Sequence, residues 1–354
     1  MSNNKSLEEY NFYQFYADHI EKYCSANLYT LQQFANIQKM DRILEAGAGT
    51  GSIFPLIIQG KKREAEYHTV DISNHFLMAQ KQRLLNLEEQ IKKGHSLQNK
   101  SPVFQIPQNQ EKNNESQEFN YQNSLFNIFI HNMNMEKLNF PDNYFDGYFG
   151  SLVFHHSDLI ESLKQAKRVL KPGGKLGLVE FTEKENKKYY EPENPVVEEL
   201  FKKLYAENYK GKWGEDHQES DNNIHESEDN KNNKEQQQNS EKHQNHQSDE
   251  NKDKLQVSYK DQTRENLKQQ LQKNGFKNIY IYDTFIPLNY TRENFFWNYF
   301  LGKEPKSHLS QNEQNEIKDQ IWDYFVYPNK NDQNKELRDY PNGMEVFCVL
   351  AIKI

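Results

Sequence analysis

The 354-residue sequence predicts an α/β fold built on a doubly wound, mostly parallel sheet. Two short apolar runs each end in an acid, Glu45 after the first and Asp71 after the second. Between these acids, three glycines at alternate positions (Gly47, Gly49 and Gly51) precede a segment compatible with a helix. Strand-like and helix-like segments then alternate along most of the chain. This alternation is typical of a parallel sheet with helices on both faces.

Seven stretches have the composition of strands, and helix-like stretches separate most of them. The strands are expected at 41–46, 66–71, 124–131, 146–153, 174–181, 278–284 and 345–352. Helices are expected over 52–58, 160–170, 195–209 and 262–274, with another between the second and third strands and two more before the last strand. Gly275 follows the helix at 262–274, and Phe276 follows that glycine, as in a helix C-cap with its hydrophobic contact.

The glycine-rich segment indicates a nucleoside ligand. Bare backbone lets a polar group approach closely, and a carboxylate after the second strand binds ribose hydroxyls. A dinucleotide site requires Gly-x-Gly-x-x-Gly, whereas the spacing here is Gly47-x-Gly49-x-Gly51. The acid Glu45 before the glycines suits a ligand with a positive group better than a pyrophosphate. A nicotinamide dehydrogenase and an ordinary tight turn in another doubly wound fold remain as alternatives at this point.

Four motifs in a fixed order resemble one family over residues 41 to 181. Residues 45–51 resemble its motif I, Glu-x-Gly-x-Gly-x-Gly, and residues 134–146 resemble its segment Asp-Ala-Glu-x-Leu-Pro-Phe-x-Asp-x-x-Phe-Asp. Residues 147–156 are similar to its fourth strand with trailing histidines, and residues 171–176 form its Lys-Pro-Gly-Gly turn between a helix and a strand. The family is the class I S-adenosylmethionine-dependent methyltransferases. The similarity is greatest to the small-molecule branch often labelled type 11, which includes quinone and sterol methyltransferases.

This resemblance implies a Rossmann-like sheet of seven strands with the last strand antiparallel, and the predicted strands fill all seven. It also implies S-adenosylmethionine as the cofactor. The methionine portion would lie against the end of the first strand and the glycine loop, that is, against Glu45, Ala46, Gly47, Gly49 and Gly51. Asp71 would bind the ribose hydroxyls, and Ile72 would cover one face of the adenine.

The adenine-binding segment departs from the family pattern at one position. Asn134 stands where the family usually has an aspartate that accepts from the adenine amino group, and Met135 would supply a backbone amide beside it. An asparagine oxygen accepts a hydrogen bond without carrying charge, so the affinity is expected to drop while adenine recognition is kept. The alternative is that Asn134 is a plain loop residue.

Two consecutive histidines, His155 and His156, follow the fourth strand at the expected mouth of the site. A hydroxyl or amine nucleophile needs a base to take its proton, and histidine titrates near neutral pH. His155 and His156 are therefore the candidate catalytic residues. The competing interpretation is that one of them packs and caps the next helix beside Ser157 and Asp158.

Residues 1–40 form a predicted helical lid, and its aromatic residues include the candidate substrate contacts Tyr13 and Tyr16. An aromatic stripe at helical spacing is also typical of ordinary core packing, so both interpretations stay open. Residues 290–299 are a second candidate wall for an apolar or cationic acceptor.

The acceptor class is argued from motifs that the sequence lacks. Strand 4 is not followed by Asn/Asp-Pro-Pro-Tyr, no Pro-Cys supplies a cytosine C5 nucleophile, and the paired glutamates of arginine methyltransferases are absent after Gly150. The net charge of −8 argues against a nucleic-acid partner. A small-molecule acceptor is expected. A protein or RNA acceptor, and a catalytically silent methyltransferase-like subunit, remain as alternatives.

Hydrophobic residues make up only 35% of the chain, and two polar segments account for the deficit. Residues 93–122 and 210–254 are predicted to be disordered insertions in a methyltransferase domain spanning 41–354. The second insertion follows strand 5 at the expected active-site edge. It is either a passive insertion or a docking segment for a partner protein.

Neither the cysteines nor the apolar segments indicate a secreted or membrane-spanning protein. Two cysteines cannot form a disulfide framework, and no residue spacing indicates a metal site. No apolar run approaches the roughly 20 residues needed to span a bilayer. The first residues lack the apolar core of a signal peptide, so a cytoplasmic location is expected.

Overall fold

The computed structural model describes residues 21–97, 120–182, 195–204, 263–287, 308–326 and 343–354. The helices in these ranges are α1 (Glu21–Phe34), α2 (Phe54–Gly60), α3 (Asn74–Lys92), α4 (Leu159–Val169), α5 (Pro195–Leu204), α6 (Arg264–Lys273) and α7 (Gln311–Val326). Short 3-10 turns occur at Ile37–Lys39 and Phe154–His156. The strands are β1 (Arg42–Ala46), β2 (Glu66–Asp71), β3 (Asn120–Asn123), β4 (Ile128–Asn132), β5 (Phe145–Ser151), β6 (Leu170–Phe181), β7 (Phe276–Pro287) and β8 (Gly343–Lys353).

All eight strands lie in one sheet with the order β3-β4-β2-β1-β5-β6-β8-β7. Strands β4, β2, β1, β5 and β6 are mutually parallel, and β8 runs antiparallel to both β6 and β7. The doubly wound α/β architecture and the antiparallel last strand are therefore confirmed. The described sheet has one strand more than the seven expected, because β3 is added antiparallel to the outer side of β4.

The extra strand corrects the prediction of a single strand over 124–131. That region is a hairpin, in which β3 and β4 are joined by a turn at residues 124–127. The Asn123 side-chain oxygen accepts a hydrogen bond from the Phe126 amide at 3.1 Å, and Asn127 takes a left-handed φ of 54°. Asparagine tolerates both roles, so the polar residues form a turn where the sequence pattern indicated a continuous strand. The tail of the expected 93–122 insertion thus enters the sheet, while residues 98–119 lie outside the described residues.

Other element boundaries shift by a few residues. Strand β5 ends at Ser151, before the expected residue 153, because Leu152 turns out of the strand with a φ of 52°. Strand β6 begins at Leu170, directly after α4 ends, and Gly173 takes a φ of 78° within the Lys-Pro-Gly-Gly segment. The predicted turn is therefore an irregular first part of the strand. The Gly275 cap is confirmed, with a φ of 81° and a hydrogen bond from its amide to the Gln272 carbonyl at 3.0 Å.

Hydrophobic side chains cover both faces of the sheet, as a doubly wound fold requires. Alternate residues of β1 point into separate clusters, with Ile43 in one and Leu44 in the other. The first cluster packs α1, α2 and α3 against the sheet, and the second packs α4 and α6. Helix α1 contributes Leu28 and Leu31, which are 2% and 0% exposed, so the C-terminal half of the predicted lid packs as part of the core. Residues 1–20 lie outside the described residues, and a lid there stays a prediction.

The parallel arrangement brings the carboxyl ends of β1, β2, β5 and β6 to the same edge of the sheet, here called the carboxyl edge. In such sheets, ligands bind beyond this edge. Within the described ranges, no helix combines the length and apolar composition needed to cross a membrane.

Candidate active site at the carboxyl edge

The glycine loop turns sharply at the end of β1 and leaves no room for side chains. Gly47 takes a left-handed φ of 61°, and its amide donates to the Val70 carbonyl at 2.9 Å. A Cβ atom at this position would lie 2.1 Å from Cγ2 of Val153, which follows β5. Both the backbone conformation and the close approach of Val153 therefore require glycine.

Helix α3 and strand β2 hold the loop from behind. The Gly49 amide donates to Asp71 Oδ2 at 3.0 Å, and the Gly49 carbonyl accepts from Gln80 Nε2 at 2.8 Å. Arg83 Nε donates to the Thr50 carbonyl at 3.0 Å. Because these side chains are fixed in the core, the backbone of the loop is preorganised.

Gln80 and Arg83 were missed by sequence reasoning. The feature that could have identified them is their position in α3. They occupy buried positions beside the apolar residues Leu77 and Leu84, where a long polar side chain needs a partner. Thr69 on β2 supports Gln80 further by donating its hydroxyl to Gln80 Oε1 at 2.6 Å.

Glu45 lies at the end of β1 and is only 5% exposed. Its Oε2 accepts a hydrogen bond from the Tyr67 hydroxyl at 2.7 Å, and the same hydroxyl accepts from Gln32 Nε2 at 3.0 Å. Burial, together with the neighbouring Glu45 carboxylate, raises the pKa of Tyr67 well above its ordinary value, so the phenol remains a donor. Helix α1, through Gln32, is thereby connected to the carboxylate predicted to face the methionine portion of the cofactor.

Asp71 ends β2 and is half-buried. Its two oxygens accept from the amides of Gly49 at 3.0 Å and Ser73 at 2.9 Å. Burial raises its pKa to about 6, although these backbone hydrogen bonds oppose the shift. A carboxylate offers about four acceptor positions, so capacity for ribose hydroxyls remains. Ile72, beside it, is 70% exposed, and its contact with adenine stays a prediction.

Asn134 follows β4, next to the end of β2, where the Met133 amide donates to the Asp71 carbonyl at 3.2 Å. The Asn134 side chain is exposed, and its Oδ1 accepts from the Glu136 amide at 2.8 Å. One acceptor position of this oxygen is therefore used within the turn, and a second position remains. The Met135 side chain is 7% exposed and packs into the core below.

His155 and His156 lie in the 3-10 turn after β5 and have different surroundings. His155 Nδ1 lies 3.2 Å from Oε2 of Glu180, a residue of β6 that is only 2% exposed. The ring of His155 packs 4.9 Å from that of Phe181, while His156 is exposed. Glu180 was not predicted from the sequence. The sequence feature that could have identified it is an acid within the otherwise apolar second half of β6, residues 176–181, where a buried carboxylate needs donors.

The structure therefore brings most of the predicted site residues to one edge. Glu45, Asp71 and His155 come from the ends of three parallel strands or the turns after them, and Val153 connects the histidine turn to Gly47. The candidate substrate contacts Tyr13 and Tyr16, the segment 290–299 and the insertion 210–254 lie outside the described residues.

These residues fit S-adenosylmethionine. The glycines of the tight turn give a polar tail bare backbone to approach, and the buried Glu45 carboxylate suits a ligand with positive groups. Asp71 has free acceptor capacity for ribose hydroxyls, and the exposed Ile72 offers an apolar surface for adenine.

Comparison with known proteins agrees with this geometry. A family model described as a methyltransferase domain matches residues 44–178. The ubiquinone/menaquinone biosynthesis C-methyltransferase UbiE of Chromobacterium violaceum is 54% identical over 50 residues, which are 13% of this chain. The chain covers only 20% of the length of that curated relative.

Two solved structures are similar at low sequence identity. The YcgJ protein from Bacillus subtilis is 14% identical, with a TM-score of 0.43, covering 93% of this chain and 98% of its own. The Haemonchus contortus phosphoethanolamine N-methyltransferase 2 is also 14% identical, with a TM-score of 0.40, covering 93% of this chain and 52% of its own. The matched family model and the geometry of the glycine loop thus agree. The stretch that matches a methyltransferase domain, residues 44–178, contains the glycine loop, Asp71 and the two histidines after β5.

Proposed function

We propose that this protein transfers a methyl group from S-adenosylmethionine to a small-molecule acceptor by in-line displacement. The observation that carries the proposal is the preorganised glycine loop, which is held between the carboxylates Glu45 and Asp71 at the carboxyl edge. A match to a methyltransferase domain over residues 44–178 supports the same activity.

When bound, S-adenosylmethionine supplies a methyl group activated by a sulfonium. Its positive charge is lost during transfer, so the protein gains little by binding the sulfonium tightly. Alignment of the acceptor about 3–3.5 Å from the methyl carbon, with water excluded, is worth up to roughly 7–11 kcal/mol. The hydrogen bonds from Gln80 and Arg83 to the loop supply the rigidity that such alignment needs.

Each cofactor-binding residue has a role in this proposal. Glu45 and the glycines hold the methionine portion, Asp71 accepts from the ribose hydroxyls, and Ile72 covers adenine. Asn134 accepts from the adenine amino group through the remaining position on Oδ1, with the Met135 amide beside it. His155 and His156 lie beyond the ends of β5 and β6, where the acceptor would enter, and one of them serves as the base.

Support for a small acceptor comes from the missing motifs of DNA and arginine methyltransferases and from the curated relative. That relative is a C-methyltransferase of ubiquinone and menaquinone biosynthesis, and quinones are small molecules. Binding of a partner protein through 210–254 stays a prediction. A catalytically silent subunit is the second candidate, because Asn134 replaces the usual aspartate and already uses one acceptor position within its turn.

Calorimetric titration of the full chain with S-adenosylmethionine and S-adenosylhomocysteine tests the proposal. Asp71→Ala should weaken binding by about 1.5–3 kcal/mol, on the order of ten- to 150-fold, because it removes a charged hydrogen-bond acceptor. Asp142→Ala is the matched control, since Asp142 is an exposed acid that pairs with Arg168 away from the carboxyl edge. Absence of binding by the folded wild-type chain would overturn the proposal. Cofactor binding without methyl transfer to any member of an acceptor panel would favour the silent subunit.

A further inference from the structure

Glu180 connects the last residues of β6 to the histidine turn after β5. It is 2% exposed, and its Oε1 accepts hydrogen bonds from the backbone amides of Val153 at 3.2 Å and Phe154 at 2.8 Å. Its other oxygen, Oε2, faces His155 Nδ1 at 3.2 Å. One buried carboxylate thus holds both the backbone of the turn and the imidazole that the turn presents.

This arrangement determines which imidazole nitrogen carries the proton. Oε1 is committed to two amide donors, so it is Oε2 that faces the ring. An ionised carboxylate only accepts hydrogen bonds, so opposite one the Nδ1 of His155 is the donor. In the neutral imidazole, Nε2 then has the lone pair and is the basic nitrogen.

The orientation of the ring is also restrained. The His155 ring packs 4.9 Å from the Phe181 ring and 4.0 Å from the His156 ring. Glu180 and His156 are two titratable groups that lie in contact with His155. Because Val153 also contacts the Gly47 position, the same short turn lies against both the cofactor loop and His155.

Resting on the proposed methyltransferase function, we infer that Glu180 is a positioning residue that holds His155 with Nδ1 protonated, so that His155 Nε2 takes the proton of the methyl acceptor. In that step the acceptor atom forms a bond to the methyl carbon while the carbon–sulfur bond breaks. The sulfur keeps the electron pair, and the proton of the acceptor passes to Nε2. The inference names an acceptor class, which is a small molecule whose nucleophile carries a proton, such as a hydroxyl or an amine.

The tautomer can be measured without knowing the acceptor. We would record nitrogen NMR spectra of the full chain labelled at histidine nitrogens, bound to S-adenosylhomocysteine, and assign His155 by comparison with His155→Gln. The wild-type spectrum should show His155 protonated at Nδ1. In Glu180→Gln, the amide oxygen remains with the Val153 and Phe154 amides, and the NH2 group turns to Nδ1. The protonated nitrogen should therefore switch from Nδ1 to Nε2.

His156→Gln is the matched control, because it changes the neighbouring imidazole while keeping Glu180, and the His155 tautomer should stay at Nδ1. A wild-type His155 protonated at Nε2, or a tautomer unchanged by Glu180→Gln, would overturn the inference. The wild-type result needs no variant to fold. Calorimetry separates the two proposals. If the wild type fails to bind S-adenosylhomocysteine, the proposed function fails, whereas binding with the wrong tautomer refutes only the role of Glu180.

Discussion

Asp71 and Asp146 lie at opposite edges of the sheet and make similar contacts, yet their pKa values shift in opposite directions. Both accept hydrogen bonds from backbone amides, Asp71 from Gly49 and Ser73 among others and Asp146 from Asp41 and Arg42. Burial raises the pKa of Asp71 to about 6. Burial also opposes ionisation of Asp146, but Lys171, whose Nζ lies 2.6 Å from Oδ1, and the backbone amides outweigh it and lower the pKa.

The same contrast extends to neighbouring acids. Near the amino ends of the parallel strands, Glu66 pairs with Arg42 at 3.1 Å. At the carboxyl edge, Asp71 accepts from backbone amides, which are neutral donors. Neutral donors leave the negative charge in place for a ligand. Glu66 and Asp146, near the amino ends of the strands, thus stabilise the fold, whereas burial of Asp71 has some cost in stability, which fits the ligand-binding role proposed for it.

The largest expected effect on stability comes from a substitution in the glycine loop at the carboxyl edge. Gly47→Ala should destabilise the protein by about 2–5 kcal/mol, because a strained left-handed residue and a clash with Val153 both add to the cost. Gly94→Ala is the matched control, since Gly94 also has a positive φ of 70° but has open space around it. Its cost should be about 1–2 kcal/mol, from strain alone. Urea unfolding measures the free energy of unfolding of both variants. Equal losses of stability would show that the Val153 side chain moves aside without cost.

A second test is the pH dependence of two amide variants. Asp146→Asn should cost about 1.5–3 kcal/mol at neutral pH, because the charged pairing with Lys171 is lost. The pKa of Asp146 is lowered in the folded state, so its contribution is present above the ordinary value of about 3.9 and is lost as pH falls.

The effect of Asp71→Asn on stability should depend on pH in the opposite direction. The raised pKa of Asp71 contributes stability that is present below about pH 3.9 and is lost as pH rises through about 6. Relative to the wild type, the variant should therefore gain about 1–2 kcal/mol between pH 4 and pH 7, a figure reduced for the partial exposure of Asp71. Parallel pH profiles for the two variants would contradict the contrast between the edges.

The smallest expected effect is the difference in stability between two tyrosine-to-phenylalanine variants at fully buried positions. The Tyr67 hydroxyl bonds to Glu45 and Gln32, so Tyr67→Phe should cost about 1–2 kcal/mol and leave the Glu45 carboxylate less well held. Among the residues that the structure describes, the Tyr148 hydroxyl has no hydrogen-bond partner, so Tyr148→Phe should be neutral or stabilising by up to about 1 kcal/mol. Chemical denaturation distinguishes them, and a destabilised Tyr148→Phe variant would mean that its hydroxyl has a partner such as a buried water.

A short sequence pattern is sufficient to predict a feature when the physical cause of that feature lies within the same short segment. The spacing of Glu45, the glycines and Asp71 identified the cofactor loop, because a positive φ and a strand-end acid are properties of short segments. The strand expected over 124–131 was wrong in part, because the Asn123 side chain competes for a backbone amide and turns the chain. Whether Tyr13 and Tyr16 contact the acceptor stays a prediction.

The sequence by itself determined the doubly wound class, the glycine loop, the acids that flank it and the histidines after the fourth strand. Only the tertiary structure decided which side chains hold them. Glu180 and His155 are 25 residues apart and meet because β6 pairs with β5, and Arg83 reaches Thr50 across 33 residues because α3 packs against the loop. Such contacts depend on which strands become neighbours, and that choice is made by packing of the whole core rather than by any short segment.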